Sequence, residues 1–288
     1  MIVQDHAYHG HTTGTIDISP YKFNGPGGEG PPDWVAIAEL ADPYRGRFRY
    51  DDAEAGPKYA AGIERAGSAL QARGHQLAGF IAESFPSVGG QIEPPAGYLA
   101  HVYERVRAAG GLCIADEVQT GLGRLGDAYW GFETQQASPD MVILGKPVGN
   151  GHPLGVVATT EEIAASFANG MEFFSTFGGT TLACAIGAEV LDIVDEEGLQ
   201  ANAAAMGIRL LSGLRELQQR YDIIGDVRGR GLFIGVELVT DRTSKAPATE
   251  LAGYVSNRMR DHRILIGTDG PFDNVLKIRP PLTIGAAD

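Results

Sequence analysis

The sequence predicts an α/β fold: a large domain with a mostly parallel sheet and flanking helices, followed by a smaller C-terminal α+β domain. Short apolar runs alternate with amphipathic segments between residues 77 and 198, which is typical of parallel βαβ units. Glycine accounts for 40 of the 288 residues and clusters at the ends of apolar runs, where tight strand-to-helix turns need it. The order of elements changes after residue 198, so the predicted domains are 1–197 and 198–288.

The first third of the chain begins with a strand end and then loses its periodicity. Residues 17–58, rich in Gly, Pro, Tyr and charge, predict a long irregular stretch. Residues 58–74 predict one helix. The apolar runs LAGFIAES (77–84) and LCIADE (112–117) predict buried strands on either side of a helix over 95–111.

The rest of the chain continues the alternation and then switches pattern. DMVILGK (140–146) and LGVVATT (154–160) predict two further strands. Helices are predicted in EEIAASFANG and in LACAIGAEVLDIVDEEG. The second domain is predicted to begin with a long helix in QANAAAMGIRLLSGLRELQQRY and a glycine-rich hairpin in IIGDVRGRGLFIGVELVTD. Another helix is predicted in ATELAGYVSNRMRDHR, and two strands are predicted in ILIGTDG and VLKIRPPLTI.

Composition excludes several classes of function. A net charge of −13 argues against nucleic acid or an anionic membrane as the main partner. The sequence contains no run of 18 or more apolar residues, so no transmembrane helix is predicted. Cys113 and Cys184 cannot form a disulfide framework, which favours a reducing cytoplasm. The seven histidines show no metal-ligand spacing, so no metal site is expected.

Three ionisable residues are expected at the carboxyl ends of the parallel strands, where open α/β sheets bind ligands. These are Glu83, Asp116 and Lys146. A buried lysine with a lowered pKa forms Schiff bases with carbonyls, and a carboxylate keeps a pyridine nitrogen protonated. Pyridoxal phosphate enzymes need both groups. The alternatives are a helix cap or structural ion pair for Asp116 and a surface strand-end lysine for Lys146.

Four motifs then point to a family. ADEVQTGLGR (115–124), PDMVILGKPVGNGHPLGVV (139–157), STFGG (175–179) and YHG (8–10) stand in the same order as in class III (omega) pyridoxal-phosphate-dependent aminotransferases. The chain resembles that family over essentially its whole length. The resemblance implies the fold type I architecture, with 1–197 as the domain that binds pyridoxal 5'-phosphate.

The resemblance also implies roles for individual residues. Lys146 would form the Schiff base with the cofactor and act as general acid and base in transamination of a primary amine. Asp116 would pair with the pyridine nitrogen, and Gln119 would lie near the phenolic oxygen. Val118 and Tyr8 would pack on the two ring faces, although a core aromatic is the alternative for Tyr8.

The cofactor phosphate is expected to involve a second copy of the chain. Thr176 would donate to that phosphate across a homodimer interface, and Ser175 could share the role; a turn hydroxyl is the alternative for Thr176. His9 and Glu83 are also expected to bind the cofactor. Arg279 matches the position that binds a substrate carboxylate, the alternative being a structural ion pair.

Several segments resemble one subgroup, the ethanolamine-phosphate phospho-lyases, which eliminate phosphate from a phosphorylated amino alcohol. They include DHAYHGHTTGTIDISPYKF and ESFPSVGGQIEPPAGY. In the second of these, Val88 replaces a glutamate that partners the substrate arginine in ornithine- and GABA-type enzymes. Phosphate elimination is therefore the alternative to transamination, and Arg45, Arg47 and Arg49 could bind a substrate phosphate or form a solvated basic loop.

The chain departs from the family at both ends. It is expected to lack the first strand and the phosphate loop of the large domain, and the last helix of the small domain. An inactive, truncated domain of a longer or fused protein is therefore a further alternative.

Overall fold

The computed structural model describes residues 1–288, which form two sheets with helices packed against them. The first sheet has six strands in the order β2-β1-β3-β4-β5-β6. Its first five strands are parallel, and only β6 runs antiparallel to its neighbour β5. The predicted mostly parallel sheet is thus confirmed. Its strands are β1 (Ile2–Gln4), β2 (Ala36–Ala38), β3 (Gly79–Glu83), β4 (Leu112–Asp116), β5 (Met141–Leu144) and β6 (Val156–Thr159).

Helices cover both faces of this sheet because apolar side chains project from both of its faces. Successive residues of a strand point to opposite faces, so Ile2 and Phe80 join one buried cluster while Val3 and Ile81 join another. The helices of the chain are α1 (Thr13–Ile16), α2 (Pro20–Phe23), α3 (Ala55–Ala60), α4 (Gly62–Ala72), α5 (Tyr98–Ala108), α6 (Glu161–Phe167), α7 (Thr181–Glu196), α8 (Leu199–Arg220) and α9 (Thr249–Asp261). None is long and apolar enough to cross a membrane.

Two expectations for the first third of the chain were wrong. The single helix predicted over 58–74 is divided at Ala61 into α3 and α4, because α3 packs on α5 whereas α4 packs on β2. The stretch 17–58 is not irregular throughout, since it contains α2 and the edge strand β2. β2 has only three residues, too few for a periodic signal, and it is placed by its parallel pairing with β1.

The second sheet is antiparallel and holds its own core. Its order is β10-β11-β8-β7, with β9 paired to β8, and α8 and α9 supply the apolar cover. The hairpin of β7 and β8 requires glycine at Gly229, where φ is +112° and an added Cβ would lie 2.1 Å from the Phe233 carbonyl oxygen. The strands are β7 (Ile224–Arg230), β8 (Phe233–Asp241), β9 (Ala246–Pro247), β10 (Gly267–Asp269) and β11 (Val275–Ile278). The division into domains between residues 197 and 198 stays a prediction.

Candidate active site

The ends of three parallel strands bring the predicted ionisable residues to one edge of the sheet. Glu83 ends β3 and Asp116 ends β4, and the two are direct partners in the strand register. Lys146 begins a short 3-10 turn, Lys146–Gly149, two residues after β5. This edge is where open parallel sheets bind ligands.

Asp116 is a buried carboxylate with a fixed orientation. Its Oδ2 lies 2.8 Å from Nδ1 of His9, and its Oδ1 accepts a hydrogen bond from the peptide N–H of Val118 at 3.1 Å. The His9 backbone N–H donates to the Ser19 hydroxyl at 2.9 Å, which anchors this histidine to the loop before α2. The Nε2 atom of His9 is buried and has no partner within the protein.

Glu83 is a second buried carboxylate, one strand away. Its Oε1 accepts from the backbone N–H of Tyr8 at 3.1 Å, and its Oε2 accepts from that of Ser87 at 2.9 Å. Burial is the main cause that raises the pKa of Glu83 to about 7, and the neighbouring charge of Asp116 adds to it. Glu83 can therefore exchange a proton near neutral pH.

Lys146 is held in a conformation that few lysines adopt. Its φ is +36°, in the left-handed region, and such strain at a non-glycine residue is often associated with function. Lys146 as a whole residue is exposed in the single chain, but partial burial of its amine is the largest effect on its pKa and lowers it, and the cation of Arg279 acts in the same direction. Asp116 and Glu83 act oppositely but do not cancel the lowering. A lysine of this kind is a nucleophile and a proton acceptor.

Arg279 follows β11 and enters the site from the second sheet. One of its Nη atoms donates to Oε1 of Gln119, and its guanidinium lies 5.6 Å from the centre of the Phe233 ring. Burial lowers the pKa of Arg279. No carboxylate lies within 4 Å of it, so the alternative of a structural ion pair is not seen. The cation is free to receive an anion.

Two further predicted residues border this edge. The Val118 Cγ2 atom lies 3.4 Å from the point where a Cβ on Gly145 would stand, directly before Lys146. The ring of Tyr8 meets that of Tyr21 edge-on, with centroids 5.7 Å apart. Both Val118 and Tyr8 are half-buried, so each leaves part of its side chain open to a ligand.

Ser175 and Thr176 do not join the other predicted residues. Both are exposed in the segment between α6 and α7, which forms neither helix nor strand. The Ser175 hydroxyl accepts a bond from the N–H of Gly178 at 2.9 Å, within that same segment. A single copy of the chain therefore leaves these two hydroxyls outside the strand-end site.

Sequence reasoning missed the supports of the site. Glu117 accepts four hydrogen bonds, from the hydroxyls of Ser84 and Thr120 and from the backbone N–H groups of Gly131 and Phe132. One sequence signal could have indicated this role of Glu117. Successive side chains along a strand point to opposite faces of the sheet, so Glu117, directly after Asp116, is expected to face away from it. Nothing in the sequence indicates that Ser19 holds His9.

The arginines of the loop 43–49 are occupied elsewhere. Arg45 pairs with Glu237, Arg47 pairs with Glu39 at 3.2 Å, and Arg49 donates to a backbone carbonyl. All three arginines therefore make structural contacts within the protein. No group of three or more His, Cys, Asp or Glu side chains is arranged to hold a metal ion.

Comparison with known proteins identifies relatives over the whole chain. The aminotransferase class-III family profile matches residues 1–288. An alanine–glyoxylate aminotransferase 2-like protein of Drosophila melanogaster is 52% identical, over 98% of this chain and 58% of that protein. An ethanolamine-phosphate phospho-lyase homolog 1 of Caenorhabditis elegans is 41% identical, over 98% of this chain and 63% of that protein. The chain thus spans about three fifths of the length of these relatives.

Solved structures of related enzymes also have the same fold. A phospholyase from Arthrobacter in complex with phosphoethanolamine is 36% identical with a TM-score of 0.91, covering 99% of this chain and 67% of that one. An amine transaminase of an uncultivated Pseudomonas species in its PLP-bound form is 31% identical with a TM-score of 0.87, covering 99% and 66%.

The residues at the strand ends fit the cofactor of these enzymes. Asp116 offers a buried carboxylate for a pyridine nitrogen, Lys146 offers a free amine, and the unpartnered Nε2 of His9 shows that the polar groups here are not all satisfied by the protein. The profile match, the 52% identical relative and this site together show that the chain belongs to the class III aminotransferase family of fold type I, whose cofactor is pyridoxal 5'-phosphate.

Proposed function

We propose that this chain carries the pyridoxal-phosphate site of an enzyme that acts on a primary amine by transamination, with Lys146 as the Schiff-base residue. The observation that carries the proposal is the position of Lys146, which follows β5 at the same sheet edge as the buried carboxylates of Glu83 and Asp116 and has a backbone conformation that few lysines adopt. The lowered pKa of its amine favours the neutral form, which attacks a carbonyl.

The neighbouring residues have roles that follow from their positions. Asp116, oriented by His9 and Val118, holds the proton on the pyridine nitrogen. Val118 and Tyr8 cover the two ring faces, and Gln119 donates near the phenolic oxygen. Glu83 is bound to the Tyr8 peptide and so fixes that ring in place.

The chemistry is divided between cofactor and protein. When bound, pyridoxal phosphate withdraws electrons from the carbon that carries the amine. The Lys146 amine accepts the proton from that carbon and returns it one position along. Water would then release the carbonyl product, and the amino group would pass to a 2-oxo acid by the reverse sequence. Burial of Asp116 keeps bulk water away from the carboxylate that pairs with the ring.

The substrate is expected to carry an anionic group beside its amine. Arg279 has no carboxylate partner, and residue 88, where resembling enzymes place a glutamate, is Val88. Arg279 is therefore always available to an anion. This favours small amino acids and 2-oxo acids over ornithine- and GABA-type substrates.

Phosphate elimination is the second candidate, supported by the Arthrobacter phospholyase described with phosphoethanolamine. The first step is the same loss of a proton from the amine carbon to Lys146. The bond between the next carbon and the phosphate oxygen then breaks, and the electron pair leaves with phosphate. Addition of one water yields ammonia and an aldehyde.

A homodimer is proposed from an exposed aromatic segment. Phe173, Phe174 and Phe177 flank Ser175 and Thr176, and each ring is at least 76% exposed. A second copy that covered these rings would bury apolar area and bring both hydroxyls to the partner's cofactor phosphate. Changing Phe177 to Asp should then raise the dimer dissociation constant in sedimentation experiments, whereas Tyr254→Asp on α9 should not.

The proposed location is the cytoplasm, on the ground that Cys113 and Cys184 are both free. Two relatives of this family, from Arabidopsis thaliana and Homo sapiens, are named as mitochondrial. Fractionation of cells that express the full gene product would decide between the two compartments.

The decisive experiment is titration of the purified chain with pyridoxal phosphate, then borohydride reduction and peptide mapping. A pyridoxyl group on Lys146 supports the proposal, and an unlabelled Lys146 overturns it in favour of a domain that does not hold the cofactor. Transfer of the amine to a 2-oxo acid identifies transamination. Release of inorganic phosphate from O-phosphoethanolamine identifies elimination instead.

A further inference from the structure

Two of the five lysines have no oxygen atom of the protein to bind. The other three donate to one: Lys58 to Asp52, Lys277 to Asp269, and Lys245 to the Tyr44 carbonyl. The two without an acceptor are Lys146 and Lys22. In a chain with 36 acidic residues and a net charge of −13, a lysine left unpaired beside Tyr8, a residue expected to face the cofactor, calls for an explanation.

Lys22 lies against the aromatic wall of the site. Its Nζ is 5.6 Å from the centre of the Tyr8 ring and 5.4 Å from that of Tyr21. Aromatic faces attract a cation but leave its N–H groups without acceptors. The ammonium is thus held in place while its hydrogen-bonding capacity stays available.

The backbone fixes Lys22 relative to the residues that face the cofactor. The N–H of Tyr21 donates to the carbonyl of Ala7 at 3.1 Å, and the N–H of His9 donates to the Ser19 hydroxyl at 2.9 Å. The helix α2, which carries Lys22, is therefore attached on both sides to the loop that carries Tyr8 and His9. The backbone segment that positions Tyr8 and His9 therefore also positions the Lys22 ammonium.

A cavity of about 370 Å³ lies beside Lys22. Tyr21, Asn24, Val88 and Gly270 contribute to its wall, and the exposed Asp273 lies on its rim without pairing to Lys22. Val88 follows Ser87, whose N–H binds Glu83, so one wall of the cavity belongs to the loop that contacts the strand-end site. With valine at this position, no carboxylate of that loop neutralises Lys22.

We propose that Lys22 is the subsite for the phosphate group of a phosphorylated amino alcohol. The inference rests on the second proposed function, phosphate elimination. A lysine ammonium acts as a compact point charge, which suits a phosphate dianion and three of its oxygens. Arg279, which has no carboxylate partner, is the residue expected to bind a carboxylate, so Lys22 is the residue that distinguishes a phosphate-bearing amine from an amino acid.

The test measures binding of two amines to the chain loaded with pyridoxal phosphate. O-phosphoethanolamine carries the phosphate, and L-alanine carries a carboxylate instead. Lys22→Met should weaken binding of O-phosphoethanolamine about tenfold to a hundredfold, the range for loss of a charge-assisted bond, and leave L-alanine unchanged. Lys22→Arg should restore most of the loss, and Lys58→Met, which removes a surface lysine paired with Asp52, should have no effect.

The outcomes separate this inference from the chemistry on which it rests. Equal binding of O-phosphoethanolamine by the native chain and Lys22→Met overturns the subsite, as does an equal loss for L-alanine. An unlabelled Lys146 after borohydride reduction overturns the proposed function alone. In that case the subsite is tested by titrating the cofactor-free chain with inorganic phosphate, and Lys22→Met must weaken that binding for the inference to stand.

Discussion

Two groups of charges in this chain are arranged in opposite ways. At the strand ends, Lys146 and Arg279 have no carboxylate bonded to them, and Glu83 has a pKa near 7. In the second sheet, Arg228 is bonded to Asp226 at 2.8 Å and to Glu237 at 2.7 Å.

The charges of the second-sheet group satisfy one another, although a cavity of about 480 Å³ lies beside Asp226 and Arg228. Arg228 also donates to the Gly90 carbonyl at 2.6 Å, Arg45 pairs with Glu237, and the Tyr50 hydroxyl donates to Asp226 at 2.9 Å. Burial by itself lowers the pKa of Arg228, but the two carboxylates more than offset this, so its pKa is raised. Paired buried charges specify a fold, whereas unpaired ones are kept for a ligand.

The largest expected effect is on chemistry. Lys146→Ala removes the amine proposed to form the Schiff base, so activity should fall on the order of 10⁴-fold or more, as when other enzymes lose their nucleophile. Because Lys146 has no bonded partner, the urea midpoint should change little. Assays and unfolding of the same preparation check both; full activity in Lys146→Ala would falsify the assignment.

The next largest effect is on stability. Arg228→Ala leaves Asp226 buried without a counter-ion and leaves Glu237 with Arg45 alone, so the free energy of unfolding should fall by about 3–5 kcal/mol. Urea unfolding followed by circular dichroism measures it. If Arg228→Ala lowers the free energy of unfolding no more than the loss of an exposed ion pair does, the contrast between the two groups of charges is wrong.

The third effect is a pH dependence that arises from Glu83. Its pKa is raised from 4.5 to about 7 in the folded chain, so folding takes up a proton between these values. The stability it contributes is fully present below pH 4.5 and is lost as the pH rises through 7, a change of roughly 3 kcal/mol. Glu83→Gln should flatten the fall in unfolding free energy from pH 5 to 8, and the exposed Glu162→Gln should not; an unchanged slope in Glu83→Gln would contradict the shifted pKa.

The smallest effect is expected two residues along the same strand as Arg228. Arg230 is partly exposed and pairs with Glu93 and Asp127 at the surface. Exposed pairs contribute little, so Arg230→Ala should lower the free energy of unfolding by less than about 1 kcal/mol. The same urea titration provides the comparison, and a loss as large as that of Arg228→Ala would show that burial is not what separates the two arginines.

Long buried strands were predictable because their signal is local. The predicted runs at 77–84 and 112–117 are apolar, and each contains a strand of the structure, which ends at Glu83 in the first and at Asp116 in the second. β2 and the break at Ala61 were not predictable, because a three-residue strand has no period and a change of packing partner leaves no local mark. Residues that follow strands were therefore the most reliable candidates for the site.

By itself, the sequence determined which groups are available: a lysine after one strand, an aspartate and a glutamate after two others, and four motifs in the order of one family. Only the tertiary structure decided how these groups are satisfied. It binds His9 to Asp116, leaves Lys146, Arg279 and Lys22 without a carboxylate, and leaves Ser175 and Thr176 outside the site. The physical reason is that strand and helix patterns follow from neighbours along the chain, whereas pairing and burial of charge depend on contacts between residues far apart in it.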